Sequence, residues 1–202
     1  METSTLEIIK TLQKRNISVF SLADFRRLFA IKNAQTLYKK IQRLEKDGVI
    51  EFLVKGKYLF ILNNSTTADY EIANFLYPQS YVSLESALSY YGIITGFPYG
   101  TTSITVKKPR TFKCQGREFN YSQIAPALYF GMEKDKNFLI ASPEKALIDY
   151  IYFGNKGLRG QDFDEMDFSI IDRKKLALYA KMANIRKFPK IWSLIPRIPI
   201  AG

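Results

Sequence analysis

Apolar positions in the first 48 residues recur with the period of an α-helix in three successive segments. Residues 4–15 form the first segment, whose apolar residues recur three apart at Leu6, Ile9 and Leu12. The second, "SLADFRRLF", starts at Ser21 and has Asp24 three residues later, which is typical of a capped helix start. The third runs from Asn33, a good N-cap, to Gly48, with its apolar residues on one stripe. The pattern predicts three helices.

Two short β-rich segments, "VIEFLV" and "KYLFIL", follow the third predicted helix. Lys55 and Gly56 separate them, which predicts a hairpin with a tight turn. Three helices followed by a hairpin are the order of a winged helix-turn-helix. Because polar "NNSTT" follows the hairpin, we predict a winged helix-turn-helix DNA-binding domain over residues 1–65.

The sequence pattern of residues 66–202 predicts a second, larger domain. A short helix near residues 69–77 is followed by "YVSLESALSYYGII", a helix with Ser83 as its N-cap. "SPEKALIDYIYF" predicts a helix that starts at Ser142, and a last helix is predicted from about Arg173 to Met182, with another turn near "FPKIWSLI". Between them, five β-rich segments predict an antiparallel sheet: "TSITVKK", "RTFKCQ", "REFNYSQI", "ALYFGM" and "NFLIAS". The predicted fold class is α+β, with the sheet flanked by helices.

Charge adds a candidate partner to this picture. The chain of 202 residues has a net charge of +11, and residues 1–62 hold 12 basic and 6 acidic residues. A protein this basic favours a polyanionic partner. The absence of a run of 18 apolar residues, and of an apolar core in "METSTLEIIKTLQKRN", predicts a cytoplasmic protein with no membrane partner.

The third predicted helix carries polar and basic side chains opposite its apolar stripe. Side chains of these types read base edges in the major groove and bind the flanking phosphates. A solvated surface helix is also polar, but the helix order and the hairpin favour nucleic acid. With the lysines beside the hairpin turn, the candidate DNA-binding residues are Asn33, Gln35, Thr36, Lys39, Lys40, Arg43, Lys55 and Lys57.

A second basic cluster lies in the predicted sheet. Solvated strand edges commonly carry lysines, so the cluster is such an edge, a second nucleic-acid surface or a surface for a protein partner. Its members are Lys107, Lys108, Arg110, Lys113 and Arg117.

The sequence excludes much of the chemistry that enzymes use. Without histidine and with one cysteine, Cys114, the chain cannot assemble His/Cys zinc sites or Ser-His-Asp and Cys-His catalytic sites. Asp172 and Lys174 match the D-x-K pair of some nucleases only weakly, because no second acid lies on a neighbouring predicted strand. We predict that the protein is not an enzyme and binds no cofactor or metal, and we assign Cys114 no role.

The acidic and basic residues of "SPEKALIDY" also have a structural explanation. Glu144 suits the positive end of a helix, and Lys145 and Asp149 are interpreted as part of its exposed face. We therefore do not predict a catalytic site there.

The winged helix-turn-helix pattern, combined with "YVSLESALSYYGII", "TTSITVKKPRTFKCQGREFNY" and "ASPEKALIDYIYF", resembles the AbiEi antitoxins of bacterial type IV toxin-antitoxin and abortive-infection systems. The resemblance extends from the first helix to about Phe153, with Tyr91 where histidine is frequent in the family. It implies an autorepressor that binds inverted repeats upstream of its own operon through the N-terminal domain. It also implies that the C-terminal domain neutralises a nucleotidyltransferase-like toxin encoded nearby, a system used in phage defence.

Two other function classes stay open. A ligand-responsive winged-helix regulator would have an apolar pocket in its C-terminal domain. A nucleic-acid-processing enzyme with a winged-helix targeting domain would need an acidic metal-binding cluster in a cleft.

Overall fold

The computed structural model describes residues 4–62, 68–114, 116–158 and 163–183 of the chain. The chain divides into two compact units: Met1–Leu76 with Cys114–Gly116, and Tyr77–Lys113 with Arg117–Gly202. The described residues contain seven α-helices and two sheets, so the predicted α+β class is confirmed. The predicted domain boundary at residue 65 lies outside the described residues.

The N-terminal unit contains four helices and a three-stranded sheet in its described residues. The strands are antiparallel in the order β1-β3-β2. Sequence analysis missed β1, because three residues are too few to show a two-residue alternation. The elements are α1 (Thr5–Lys14), β1 (Val19–Ser21), α2 (Leu22–Leu28), α3 (Ala34–Lys46), β2 (Ile50–Val54), β3 (Lys57–Phe60) and α4 (Ala68–Leu76).

The predicted helix caps of this unit are confirmed. The Ser21 hydroxyl accepts a hydrogen bond from Asp24 N at 3.1 Å, and Ser21 N donates to Asp24 Oδ2 at 3.2 Å. At the start of α3, Asn33 Oδ1 accepts from Thr36 N at 3.1 Å. Each cap pairs a backbone N–H that has no partner inside the helix, which stabilises the helix by about 1 kcal/mol.

One apolar core joins the first three helices to the sheet. Because α3 contributes its apolar stripe to this core, its opposite face is directed to solvent. The buried residues of the core are Ile8, Leu12, Phe20, Phe25, Leu37, Ile41, Leu44, Val49, Ile50, Tyr58 and Phe60.

The C-terminal unit is built on a six-stranded sheet in the order β6-β7-β5-β4-β9-β8. The α5 and α6 helices pack against each other, and α7 packs against α6. The elements are β4 (Ser80–Val82), α5 (Leu84–Tyr90), β5 (Thr101–Thr105), β6 (Arg110–Cys114), β7 (Arg117–Gln123), a 3-10 helix (Pro126–Leu128), β8 (Met132–Asp135), β9 (Phe138–Ala141), α6 (Pro143–Asn155) and α7 (Arg173–Met182).

The sheet is mixed, so the prediction of an antiparallel sheet was wrong. The β4 strand is parallel to β9, and β5 is parallel to β7, whereas the β4–β5 and β8–β9 pairs are antiparallel. Strand direction depends on where each strand joins the sheet, and the local apolar pattern carries no information about that.

Two other local predictions for this unit were also wrong. Most of "ALYFGM" is not a strand: its first residues belong to the 3-10 helix, which Pro126 starts, and only its last residue, Met132, lies in a strand, β8. The charged "EKDK" is not only a turn, because most of it lies in β8 at the edge of the sheet, where charged residues are tolerated. The predicted last helix is confirmed as α7, and "FPKIWSLI" lies outside the described residues.

Candidate nucleic-acid interface

The exposed face of α3 carries most of the candidate DNA-binding residues. The side chains of Gln35, Thr36, Lys39 and Arg43 are exposed, and Lys40 is half-buried. Asn33 is exposed, but its side-chain oxygen already caps the helix. The face therefore presents an amide and a hydroxyl near the helix start and cations further along.

An open groove runs between the start of α1 and the basic face of α3. Its volume is about 580 Å³, and the α1 helix contributes its N-cap, Ser4, together with Thr5 and Leu6. The N-terminal end of a helix carries a partial positive charge, which adds to the charges of the α3 side chains. The α3 residues that line the groove are Thr36, Lys39, Lys40 and Arg43. The groove thus suits an anion such as a backbone phosphate.

Arg43 stays available to a partner. Its Nε lies 3.7 Å from Asp47 Oδ2, and both side chains are largely exposed. Ion pairs of this kind contribute little to stability, so the pair can open at small cost when a phosphate competes.

The two hairpin lysines have different environments. Lys55 is exposed at the turn, beside Gly56, which adopts a left-handed φ of 75°. Lys57 is half-buried, and its Nζ donates hydrogen bonds to the carbonyls of Phe75 and Leu76 at 2.6 and 2.9 Å. These carbonyls lie at the C-terminal end of α4, where a cation is favourable. We therefore keep Lys55 as a candidate contact and assign Lys57 to holding the hairpin against α4.

The second basic cluster does not converge on one point. Lys107 Nζ donates to the Pro78 carbonyl at 2.9 Å, and the Arg110 guanidinium lies 5.0 Å from the Phe112 ring centre. Lys113 Nζ pairs with Glu118 at 3.0 Å. Hydrogen bonds from Asn120 and Lys113 lower the pKa of Glu118. The other members are Lys108, which is exposed, and Arg117, which is half-buried.

The charged residues at the start of α6 are buried, so their interpretation as an exposed helix face was wrong. The exposed fractions of Glu144, Lys145 and Asp149 are 3%, 0% and 0%. Lys145 Nζ forms an ion pair with Asp149 Oδ1, and Asp149 Oδ2 accepts hydrogen bonds from the hydroxyls of Tyr81 at 3.0 Å and Ser83 at 2.9 Å. Ser83 is the N-cap residue of α5, as predicted, but its hydroxyl donates to Asp149 and makes no capping hydrogen bond to the helix.

Burial is the main electrostatic influence on this network. Desolvation raises the pKa of Asp149, while Lys145 and the two hydroxyl donors oppose the rise. Desolvation also raises the pKa of Tyr81, and the neighbouring Asp149 raises it further. Because the described partners of both groups are inside the fold, the arrangement links α6 to Tyr81 and Ser83 and offers no open reactive group.

Glu144 joins α6 to α7. Its carboxylate accepts hydrogen bonds from Ser142 Oγ at 2.9 Å and Asp172 N at 3.0 Å, and it pairs with Lys175 Nζ at 3.2 Å. Asp172 in turn caps α7, accepting from the backbone N–H of Lys174 at 2.7 Å. Asp172 therefore has a structural role.

Tyr91, the residue that follows α5, is half-buried beside the same region. Burial raises its pKa, and the nearby Glu133 raises it further. In the described ranges, no three Cys, Asp or Glu side chains are grouped so that they could hold a metal ion, and no helix is long and apolar enough to cross a membrane.

Sequence reasoning identified the basic α3 face but missed the start of α1 as the other wall of the groove. The sequence did contain one sign of this wall, because Ser4 is a typical N-cap residue and marks the start of α1. Only the packing of α1 beside α3 shows that this helix start lines the groove. Comparison of the chain with models of protein families and with curated proteins finds no match.

Proposed function

We propose that this protein is a DNA-binding transcriptional repressor whose N-terminal unit is a winged helix-turn-helix. One observation carries the proposal: the cationic side chains of α3 and the positive end of α1 line the same open groove. The succession of three helices and a hairpin supports it, since this is the order of a winged helix-turn-helix. The protein has no catalytic role and no cofactor in this proposal.

In the proposed complex, α3 enters the major groove of double-stranded operator DNA. Gln35 and Thr36, near the start of α3, contact base edges, because amide and hydroxyl groups read the donor and acceptor pattern there. Lys39, Lys40 and Arg43 bind phosphates, and Lys55 reaches the backbone from the hairpin. Two copies bind the two halves of an inverted repeat, as in other dimeric helix-turn-helix proteins.

Replacing Lys39 with alanine is expected to weaken binding to operator and non-operator duplexes alike. Loss of one phosphate contact should reduce the slope of log K against log salt concentration by about 0.9. The measurement is fluorescence anisotropy of labelled duplexes over a salt series. Gln35→Ala should instead weaken operator binding with an unchanged slope, because a base contact releases no counterion.

The matched control for Lys39 is Lys134→Ala, which removes an exposed cation from β8 in the other unit. It should leave both affinity and slope unchanged. If Lys39→Ala and Lys134→Ala behave alike, the basic face of α3 is not the DNA surface.

The proposal extends to an antitoxin on the strength of the AbiEi resemblance. In this extension, the C-terminal unit neutralises a nucleotidyltransferase-like toxin encoded nearby. Full-length Lys39→Ala/Arg43→Ala is expected to lose repression of its own promoter but still to relieve growth arrest by the toxin. The toxin is expressed from an independent promoter, so that repression cannot account for the rescue. If this variant is folded and gives no rescue, the separation of the two activities is wrong.

A second candidate function, ligand-responsive repression, rests on an open pocket of about 490 Å³ with apolar and charged lining residues, which lies in the N-terminal unit and not in the C-terminal unit, where the sequence analysis placed it. The end of α1, β1 and α2 line it, with Leu12 and Phe25 among its apolar residues and Arg15 and Arg27 among its charged ones. This volume suits a small molecule. A change in operator affinity on adding the small-molecule fraction of a cell extract would distinguish this function from constitutive repression.

A further inference from the structure

Two aromatic side chains project from one short loop between α5 and β5. Phe97 and Tyr99 are 93% and 95% exposed, more than any other large apolar side chain in the part of the chain that the structure describes. Burying such a ring is favourable, so each exposed ring leaves a large apolar contact unmade. Adjacent exposed apolar side chains of this kind mark interaction sites.

The loop that carries these rings is held against the sheet. A Cβ atom added to Gly100 would lie 2.7 Å from the Glu118 carbonyl oxygen, so the loop backbone rests directly on the β7 strand. Pro98, between the two rings, restricts the backbone further. The rings are therefore presented at a defined place, beside the start of β7.

One cation lies at the same end of the sheet as the rings, and two more lie further along the edge strand. Glu118, against which the loop rests, pairs with Lys113 of β6 at 3.0 Å, so Lys113 lies at the same end of the sheet. Lys108 and Arg110 are exposed at the other end of β6, which is the edge strand. Glu118 is the only acidic residue between residues 105 and 120, a stretch that holds five basic residues. We call Phe97, Tyr99, Lys108, Arg110 and Lys113 the aromatic–basic surface.

We propose that the aromatic–basic surface binds single-stranded nucleic acid. Exposed rings offer faces on which unpaired bases stack, and nearby cations bind the phosphates that join those bases. A duplex suits the surface less well, because its bases are already stacked on each other. An acidic protein would match the charge, but it would also need pockets for both rings. The proposed ligand is distinct from the operator duplex assigned to α3, and the surface lies wholly in the C-terminal unit.

The test uses the full-length protein and labelled single-stranded RNA and DNA of about 12 nucleotides, a length within the range of known single-strand sites. Fluorescence anisotropy should show tighter binding to the single strands than to a non-operator duplex of equal length. Phe97→Ala/Tyr99→Ala should weaken single-strand binding at least about 30-fold, since stacking contributes about 1–3 kcal/mol per base. Because both rings are exposed, the thermal unfolding midpoint should not change.

Two further variants separate stacking from simple apolar contact. Phe97→Leu/Tyr99→Leu keeps apolar area but removes the rings, so it should bind as weakly as the alanine variant. Phe97→Trp/Tyr99→Trp should bind at least as tightly as the native protein. Leu158→Ala, which shortens another exposed apolar side chain of the same unit, should bind normally.

Two results would overturn the inference. One is native affinity in the alanine variant, and the other is native affinity in the leucine variant, which would indicate docking of an apolar protein surface. Lys134→Ala, at an exposed cation of β8 that belongs to neither surface, should leave single-strand binding unchanged. The repressor proposal is tested by Lys39→Ala on the operator duplex and this inference by the ring variants on single strands, so their failures give different results.

Discussion

Replacing Asp149 with alanine is expected to lower the free energy of unfolding by about 3–5 kcal/mol. The ion pair between Lys145 and Asp149 is fully buried, so the substitution leaves an ammonium group inside the fold without its counter-charge. It also removes the acceptor of the Tyr81 and Ser83 hydroxyls. Urea denaturation followed by circular dichroism measures the loss.

Removing both charges of the pair should lower the free energy of unfolding by less than removing only one. Lys145→Met combined with Asp149→Leu leaves no buried charge, and apolar replacements of buried ion pairs are often neutral or stabilising. The double variant is therefore expected to be more stable than Asp149→Ala alone. If Asp149→Ala lowers the free energy of unfolding by less than about 1 kcal/mol, the prediction is wrong. The Lys145 ammonium group would then have gained another partner or lost its proton.

Lys145→Met alone should show a pH-dependent loss of stability. A carboxyl group whose pKa is raised on folding contributes stability below its unfolded pKa, and this contribution is lost as the pH rises through the folded pKa. Burial already raises the pKa of Asp149 above 3.8, and Lys145 opposes that rise. Without Lys145 the pKa should rise further, so we expect a larger loss at about pH 7 than at about pH 5. An equal loss at both pH values would contradict this assignment.

Replacing Gly131 with alanine is expected to destabilise the same unit by about 2–4 kcal/mol. Its φ of 74° is left-handed, and an added Cβ would lie 2.9 Å from Tyr179 Cε2 and 3.1 Å from Lys145 Cβ. The left-handed conformation contributes about 1 kcal/mol of this cost and overpacking about 1–3 kcal/mol. Denaturant unfolding of the purified variant is the measurement.

Gly157 provides the control for the Gly131 prediction. Its φ of 70° is similarly left-handed, but an added Cβ would meet nothing within 4 Å. Gly157→Ala should therefore show only the conformational cost of about 1 kcal/mol. Equal losses in the two variants would mean that Tyr179 and Lys145 move aside without cost.

The two units differ in how much of their structure could be predicted. In the N-terminal unit, the Ser21–Asp24 capping box and the Asn33 cap are local features, so their residues are close in sequence and visible in it. In the C-terminal unit, the parallel pairing of β5 with β7 was missed because β6 lies between them in the chain, at the sheet edge. Local patterns cannot show such an arrangement.

The candidate interface was also predictable from the sequence only in part. The polar and basic face of α3 follows from the position of Leu37 and Ile41 on its opposite side, which the sequence alone reveals. The contribution of Ser4 to the groove and the attachment of Lys57 to the end of α4 depend on packing between elements. Sequence reasoning therefore found the basic face but could not separate Lys57 from Lys55.

The sequence by itself determined the order of the N-terminal helices and hairpin, the caps and the basic face, because each depends on residues a few positions apart. Only the tertiary structure decided that Lys145 and Asp149 are buried. The hydroxyls that bind Asp149 come from Tyr81 and Ser83, 68 and 66 residues earlier in the chain. Without knowledge of such distant partners, a charged residue on a helix is expected at the surface. Burying an unpaired charge costs several kcal/mol of desolvation free energy, on the order of what one ion loses on leaving water.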